Sequence, residues 1–240
     1  MAVFELPNGS GNVLSAGQIE ALQQFDTCTI ANAMEEFKIR LRNEGYTKPG
    51  LACRTGHYPP VVGFAATCRV KAADPPITGG YYFHREDWWA AIESMPVPRI
   101  AVIEDLDQPP SAGACVGEVH AAMLKALHCA GVITNGAVRN LPAVSAMKFP
   151  MFSRSVAVSH AYLHMVDFGR EVEIFDLRIR EGDLLMADCH GVISIPLGVV
   201  DELPAVAARI HAERRRIIDV CLSPDFSTET LQQILQNDRR

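Results

Sequence analysis

The chain has 240 residues, a formal net charge of −6, 48% hydrophobic and 21% charged residues, so it can bury a sizeable core without disulfide staples. The acidic balance argues against a nucleic-acid partner. No apolar run reaches membrane-spanning length, and the first residues, MAVFELPNGSGN, lack the basic start and apolar run of a signal peptide, so a cytoplasmic protein with no membrane partner is expected. The seven cysteines, Cys28, Cys53, Cys68, Cys115, Cys129, Cys189 and Cys221, include no C-x-x-C pair, which argues against a zinc or thioredoxin-like motif. Most are expected to be small buried hydrophobes in a reducing compartment.

In chain order, residues 1–14 read as an irregular lead-in with a turn cluster from Asn8 to Asn12. Ser15 can cap a helix carrying Ile19 and Leu22, and a second helix begins near Thr27 or Thr29 with Ile30, Ala33, Met34 and Phe37. Arg40 to Pro60, rich in Gly, Pro and charge, reads as a long loop. Val61–Val70 is a strand with Gly63 as a bulge, ended by Asp74-Pro75-Pro76. Trp88 and Trp89 lie in a helix that runs to about Met95 and is closed by Pro96 and Pro98.

Residues 99–144 form the stretch around which the rest of the chain is organised. Ile100–Ile103 is a short buried strand. Gly113 and Gly117 punctuate a loop, and Val119, Met123, Leu127 and Ala130 recur at helical spacing until Gly131 stops the helix. Val132–Thr134 is a second strand and Asn135-Gly136 turns the chain. A right-handed strand–helix–strand crossover puts the helix N-terminus and the exit of the second strand at the same end of the sheet. Backbone N–H groups of Gly117–His120 therefore converge with Arg139, which predicts a small pocket for an acid. Glu118, in the same turn, can help hold a cation beside that anion.

Beyond this, Ser155–Ser159 and Glu171–Leu177 read as strands, the latter half-exposed. Glu181-Gly182-Asp183 is a turn. Leu184–Ala187 and Val192–Ile195 form a hairpin around Cys189-His190-Gly191. A helix from Asp201 carries Leu203, Val206, Ile210 and Ile217 on one face, and a short helical tail follows. Crossover and hairpin connections together predict an α/β fold with a mixed sheet or two stacked sheets.

Several residues admit a plain reading beside the chemical one. Arg139 is a solvated loop arginine or, at a crossover mouth, an anion binder. Asn140 is a turn residue or a neutral oxygen ligand, and on spacing alone the turn is favoured. Glu118 complements the helix dipole or acts on a ligand. Glu104, Asp105 and Asp107 form a solvated acidic loop rather than a cation site. His160 and His164, four apart, would share a helix face; without the following Glu of a metalloprotease they are read as structural or pocket-lining. His190 is read as a turn residue, and Glu213, beside three arginines, as part of a salt-bridged face.

Gly117-Glu118 at a helix start, then GVITNGAVRN, resembles the G-E/D…G-x-V-x-x-G-x-V-R-D signature of the RraA-like family, which includes 4-hydroxy-4-methyl-2-oxoglutarate aldolases and the regulator of ribonuclease E activity. TCTIANAME, VGFAATCRV and EGDLLMADCHGVISIP are similar to three further family segments, so the resemblance runs from about Asp26 to Ile218 of a single 1–240 domain with a helical tail at 222–240. It implies a layered β/β/α, swivelling-domain-like sandwich with mixed sheets and flanking N- and C-terminal helices. It also implies a homotrimer or homohexamer with the site at a subunit interface.

The expected activity is that of a metal-dependent, class II aldolase or oxaloacetate decarboxylase-like lyase acting on a 2-oxo acid such as 4-hydroxy-4-methyl-2-oxoglutarate or oxaloacetate. By the same resemblance Gly117, Glu118, Val119, His120 and Arg139 bind substrate. Glu118 and a neighbouring subunit's residue matched by Glu213 contact Mg²⁺ or Mn²⁺ through water. The family's metal-ligating Asp is replaced by Asn140, which brings an amide oxygen but no charge. That replacement implies an alternative, a catalytically silent binding or regulatory member. Residues 40–60 and SHAYLHMVD go beyond the minimal aldolases and suggest a different or larger substrate.

Overall fold

The computed structural model describes residues 14–77 and 85–237; the lead-in turn cluster lies outside the described residues. Ser15 opens α1 (Ala16–Gln23) with a capping box, its Oγ accepting from the Gln18 amide while the Gln18 side chain accepts from the Ser15 amide. Asp26 opens α2 (Thr27–Phe37) by accepting from the Thr29 amide at 2.7 Å.

The remaining elements in chain order are β1 (Ala52–Cys53), β2 (Val61–Lys71), α3 (Arg85–Ser94), β3 (Arg99–Asp105), β4 (Ala114–Val116), α4 (Glu118–Ala126), β5 (Cys129–Val138), α5 (Leu141–Ala146), β6 (Met151–Val156), β7 (His164–Phe168), β8 (Val172–Ile174), β9 (Leu177–Ile179), β10 (Leu184–Asp188), β11 (Gly191–Ser194), α6 (Leu203–Cys221) and α7 (Thr228–Asn237). Among the described residues, nine strands form one mixed sheet in the order β1-β6-β5-β3-β2-β10-β11, with β4 beside β5 and β7 beside β2; β8 and β9 pair separately. The β2–β3, β3–β5 and β5–β6 neighbours are parallel, and the β10–β2 and β10–β11 neighbours antiparallel.

The layers follow from strand periodicity. On β2, Val62, Phe64, Ala66 and Cys68 point into a helix-covered core with Trp88, Ile92, Leu124 and Leu203. Val61 and Ala65 point the other way, into a second core with Ile100, Val102, Ile133 and the β8–β9 residues Val172, Ile174, Leu177 and Ile179. Ribbon, sheet and helices are the three layers of the expected β/β/α sandwich.

Gly63 is not a bulge. It pairs in register with Leu185, and a Cβ there would sit 2.9 Å from the Arg99 carbonyl carbon and 3.0 Å from the Pro98 oxygen. The glycine admits close approach of two backbones. Gly63→Ala should therefore destabilise the fold by about 1–3 kcal/mol, read as a lower urea midpoint at unchanged slope; an unchanged midpoint would refute the close approach.

The helix stripe of Val119 and Met123 is exposed, 66% and 38%, and α4 instead buries His120, Ala121 and Leu124. Gly131 does not stop α4; it lies within β5, which runs on through Asn135-Gly136 to Val138. The strand placed at 155–159 starts earlier, at Met151. The 171–177 strand is two, broken by Phe175 and Asp176 at φ 47° and 64°. Residues 40–60 are mostly loop, but β1 and a Tyr46–Ile193 bridge tie them to the sheet. His164 begins a strand, so it and His160 share no helix face.

Three cysteines, Cys68, Cys115 and Cys129, are buried, while Cys28, Cys189 and Cys221 are exposed. Burial pushes the thiols of Cys115 and Cys129 up to about 12. Among the described residues no helix is long and apolar enough to cross a membrane.

Candidate functional site

The β3–α4–β5 crossover sets the site. β3 and β5 are parallel neighbours, so the start of α4 and the exit of β5 share one end of the sheet. Between β3 and α4 the chain is held by acids that the sequence suggests are solvated. They are not: Asp105 is 2% and Asp107 7% exposed. Asp105 accepts from the amides of Asp107 (3.0 Å) and Ser111 (2.7 Å), and Asp107 from the amides of Ala72 and Ala73, both at 2.8 Å. Burial pushes the Asp105 carboxyl up, and that of half-buried Glu104 likewise. The Asn135 side chain does not turn the chain; it accepts from the Asp105 amide at 2.7 Å and donates to the Asp105 carbonyl at 3.1 Å, standing in for a neighbouring strand.

This scaffold returns the chain as β4, which lies beside the end of β5 through Ala114↔Ala137 and Val116↔Val138. Gly117 then starts α4 with no side-chain cap, so the first-turn amides are left for a ligand. The Arg139 amide donates to the Val116 carbonyl at 3.0 Å. A Cβ on Gly117 would lie 2.9 Å from Asn140 Oδ1 and 3.1 Å from Arg139 Nε. Two side chains thus rest against the glycine backbone. Asn140 has φ 58° and opens α5 without capping it through its side chain.

Gly117, Glu118, Val119, His120, Arg139 and Asn140 line one cleft of about 600 Å³. The structure brings these six together, as the sequence reading places them. His120 is 8% exposed; its Nδ1 lies 3.4 Å from the Cys115 carbonyl, and its ring packs against Trp88 and Trp89 at 6.1 and 6.2 Å between centroids. His160 also lines the cleft, in keeping with a pocket-lining role. Glu213 does not line it: on α6 it accepts from Arg209 at 3.1 Å. Trp89, Ala114, Cys115, Met123 and Leu163 complete the walls and carry no signal in the sequence that separates them from core.

As a cation site the cleft offers the Asn140 amide oxygen and the exposed Glu118 carboxylate. Oxygen donors at an open edge fit a hard ion that keeps much of its water, such as Mg²⁺ or Mn²⁺.

Several known proteins are similar to this chain. Over 101 residues it is 29% identical to a protein of Halalkalibacterium halodurans provisionally named a 4-hydroxy-4-methyl-2-oxoglutarate aldolase, a match of 42% of this chain and 48% of that one. Over 88 residues it is 27% identical to an uncharacterized protein of Methanocaldococcus jannaschii, covering 36% and 42% of the two. The chain thus spans less than half the length of these curated relatives.

Among solved structures, an uncharacterized protein from Pseudomonas syringae pv. tomato superposes with a TM-score of 0.70 at 19% identity, over 93% of this chain and 99% of that one. Streptomyces coelicolor RraAS2, described as an unusual member of the RNase ES inhibitor RraA protein family, superposes with a TM-score of 0.65 at 17% identity, over 88% and 98%. At these identities the likeness is one of fold. The family described as RraA-like, Aldolase/RraA, matches residues 27–194, more than two thirds of the sequence and all of the β3–α4–β5 crossover that builds the cleft; the chain belongs to that family.

Proposed function

We propose that the protein is a divalent-cation-dependent carbon–carbon lyase acting on a 2-oxo acid such as 4-hydroxy-4-methyl-2-oxoglutarate or oxaloacetate. The observation that carries this reading is the packing of Arg139 and Asn140 over Gly117, where a guanidinium, an amide oxygen and open helix amides meet in one cleft. Arg139 and the first-turn amides hold the substrate carboxylate. In retro-aldol cleavage the 4-hydroxyl gives up its proton and the C3–C4 bond breaks. The electron pair moves to the ketone oxygen, and C3 is then protonated to give pyruvate. Decarboxylation of oxaloacetate passes through the same enolate as CO₂ leaves.

Arg139 faces the negative charge as it grows. Asn140 Oδ1 would hold the cation, with Glu118 reaching it through water, and the cation's Lewis acidity would stabilise that same charge. Glu118 lines the cleft, and the water that it orients would take and return the proton. In a homotrimer or homohexamer Glu213 would serve a neighbouring subunit's cleft.

The test is pyruvate release from both substrates with Mg²⁺ or Mn²⁺ against chelator, for the wild type and Asn140→Asp. Wild-type turnover that chelator abolishes is expected. Asn140→Asp should lower the cation concentration at half-activation by about tenfold, because it adds a charged ligand. The neutral Asn140 also favours a second reading, a silent binding or regulatory member; turnover in Asn140→Asp alone would establish it. No turnover in either protein would overturn the lyase.

A further inference from the structure

We propose that the acid taken by the cleft carries a bulky apolar group, the size of a phenyl ring, on C4, where 4-hydroxy-4-methyl-2-oxoglutarate carries a second carboxylate. The substrate class is then the 4-hydroxy-4-aryl-2-oxo acids, which rests on the lyase reading of the same site. The cleft holds about 600 Å³. That lies within the range of clefts that bury drug-sized ligands, and a pyruvyl unit fills little of it. Its lining divides by chemistry. Arg139 and the amides at the start of α4 form the anion seat, while Trp89, Val119, Met123 and Leu163 are apolar. Met123 lies five residues beyond Glu118 on α4, about 7.5 Å further along the axis. The apolar wall therefore begins beside the anion seat and extends away from it.

Among the described residues, Arg139 is the single arginine or lysine that lines the cleft, and Glu118 adds a negative charge. A second carboxylate would exchange water for an apolar wall with no cation beside it, which is costly. The imidazoles are otherwise engaged. His120 is 8% exposed, with its ring against Trp88 and Trp89. His160 Nδ1 lies 2.8 Å from the Ala161 carbonyl. A carbonyl can only accept, so Nδ1 carries the proton and the neutral ring offers Nε2 as an acceptor. An acceptor suits the C4 hydroxyl and not a carboxylate.

His160 and Leu163 belong to the segment SHAYLHMVD, and that segment is pinned. The Ala114 amide donates to the Ser159 carbonyl at 2.9 Å, the Tyr162 amide to the Ala72 carbonyl at 3.0 Å and the Leu163 amide to the His160 carbonyl at 3.1 Å. A Cβ on Gly113 would collide with the His160 carbonyl, so the two backbones touch. The wall is thus formed before a ligand arrives, and an apolar group binds it at little cost in ordering. An aromatic group can pack on Trp89 in edge or offset geometry. With such a substrate the C3–C4 bond breaks and its electron pair passes into the pyruvate enolate. The hydroxyl proton is lost and C3 gains one, so the products are pyruvate and an aromatic aldehyde.

The experiment is calorimetric titration of the full chain, with Mg²⁺ present, using 2-oxo-4-phenylbutanoate and 2-oxoglutarate. These acids differ only in the group on C4, phenyl against carboxylate, and neither has the hydroxyl that cleavage needs. The phenyl acid should bind about tenfold tighter. Pyruvate release from 4-hydroxy-2-oxo-4-phenylbutanoate should exceed that from 4-hydroxy-4-methyl-2-oxoglutarate in kcat/KM by a similar factor. Met123 is 38% exposed, and Met123→Arg, which puts a cation on the apolar wall, should reverse the binding order. With a thermal melt like that of the wild type, an unchanged order in Met123→Arg would overturn the proposal. So would wild-type binding of 2-oxoglutarate as tight as that of the phenyl acid, or no binding of the phenyl acid, even if 4-hydroxy-4-methyl-2-oxoglutarate is cleaved. Preference for the phenyl acid without cleavage of any substrate would instead overturn the lyase and leave the ligand class standing.

Discussion

Arg139→Ala should lower kcat/KM for pyruvate release by about two to three orders of magnitude, while the melting temperature stays within a few degrees of the wild type. The size follows from removing one preorganised donor aimed at developing negative charge. In the proposed reaction the same donor would also supply the fork that grips the substrate carboxylate. Among the described residues no carboxylate forms an ion pair with Arg139. Its charge is available to a ligand, and its removal orphans no buried acid. Arg139→Lys keeps the charge without the planar fork and should recover only part of the loss. Steady-state kinetics beside thermal melts check this, and full activity in Arg139→Ala would remove Arg139 from the site.

The second large effect is on stability. Arg99→Ala should cost about 4 kcal/mol, seen as a shifted urea midpoint. Arg99 is the first residue of β3 and is 5% exposed. Its guanidinium donates to the Leu127 carbonyl at 2.7 Å, the Glu93 carbonyl at 2.8 Å and the Met95 carbonyl through Nε at 3.0 Å and again through Nη2. These carbonyls close α3 and α4, and the last carbonyls of a helix have no partner within it. One side chain therefore satisfies two helix ends at once. Hydrogen bonds from a charged donor contribute roughly 1.5–3 kcal/mol each, and the truncated protein would leave the acceptors buried and unmade. Arg99→Lys, with a single ammonium, should restore less than half. A midpoint unaltered in Arg99→Ala would show that water satisfies the carbonyls instead.

Much of the frame is legible in the sequence because its causes are local. Ser15 and Asp26 announce helices through their own side chains, and the apolar runs around Ile100 and Ile133 announce buried strands. The handedness of the crossover then brings Gly117–His120 to Arg139 without any knowledge of distant contacts. The errors share a different cause. Val119 and Met123 have helical spacing, but they line a cleft rather than a core, and periodicity cannot tell a pocket wall from a core.

Asp105, Asp107 and Asn135 look like solvated loop residues because their partners, at 72, 73 and 111 and across β3 and β5, are chosen by the tertiary fold. The turn after Ile174 is hidden because Phe175 and Asp176 adopt positive φ without a glycine to mark it. β4 has three residues, too few for a pattern. Trp88 and Trp89 are adjacent, and nothing short of the packed helix says that the first is core and the second faces the cleft.

The two halves of the cleft are joined by a narrow seam. β4 pairs with β5 at Ala114↔Ala137 and Val116↔Val138, with a register shift between them, and from there one strand leads into Gly117 and the other into Arg139. Stability in a protein is distributed unevenly, and short, one-sided pairings open at lower free energy than strands embedded in a sheet. The spacing between the helix amides and the guanidinium thus depends on this short pairing and on the Ala114 amide's bond to the Ser159 carbonyl at 2.9 Å. Ligand affinity and fold stability can then drift independently, since changes around Asp105 and Asn135 loosen or tighten the seam while β2, β3 and the two cores on either side of them stay as they are.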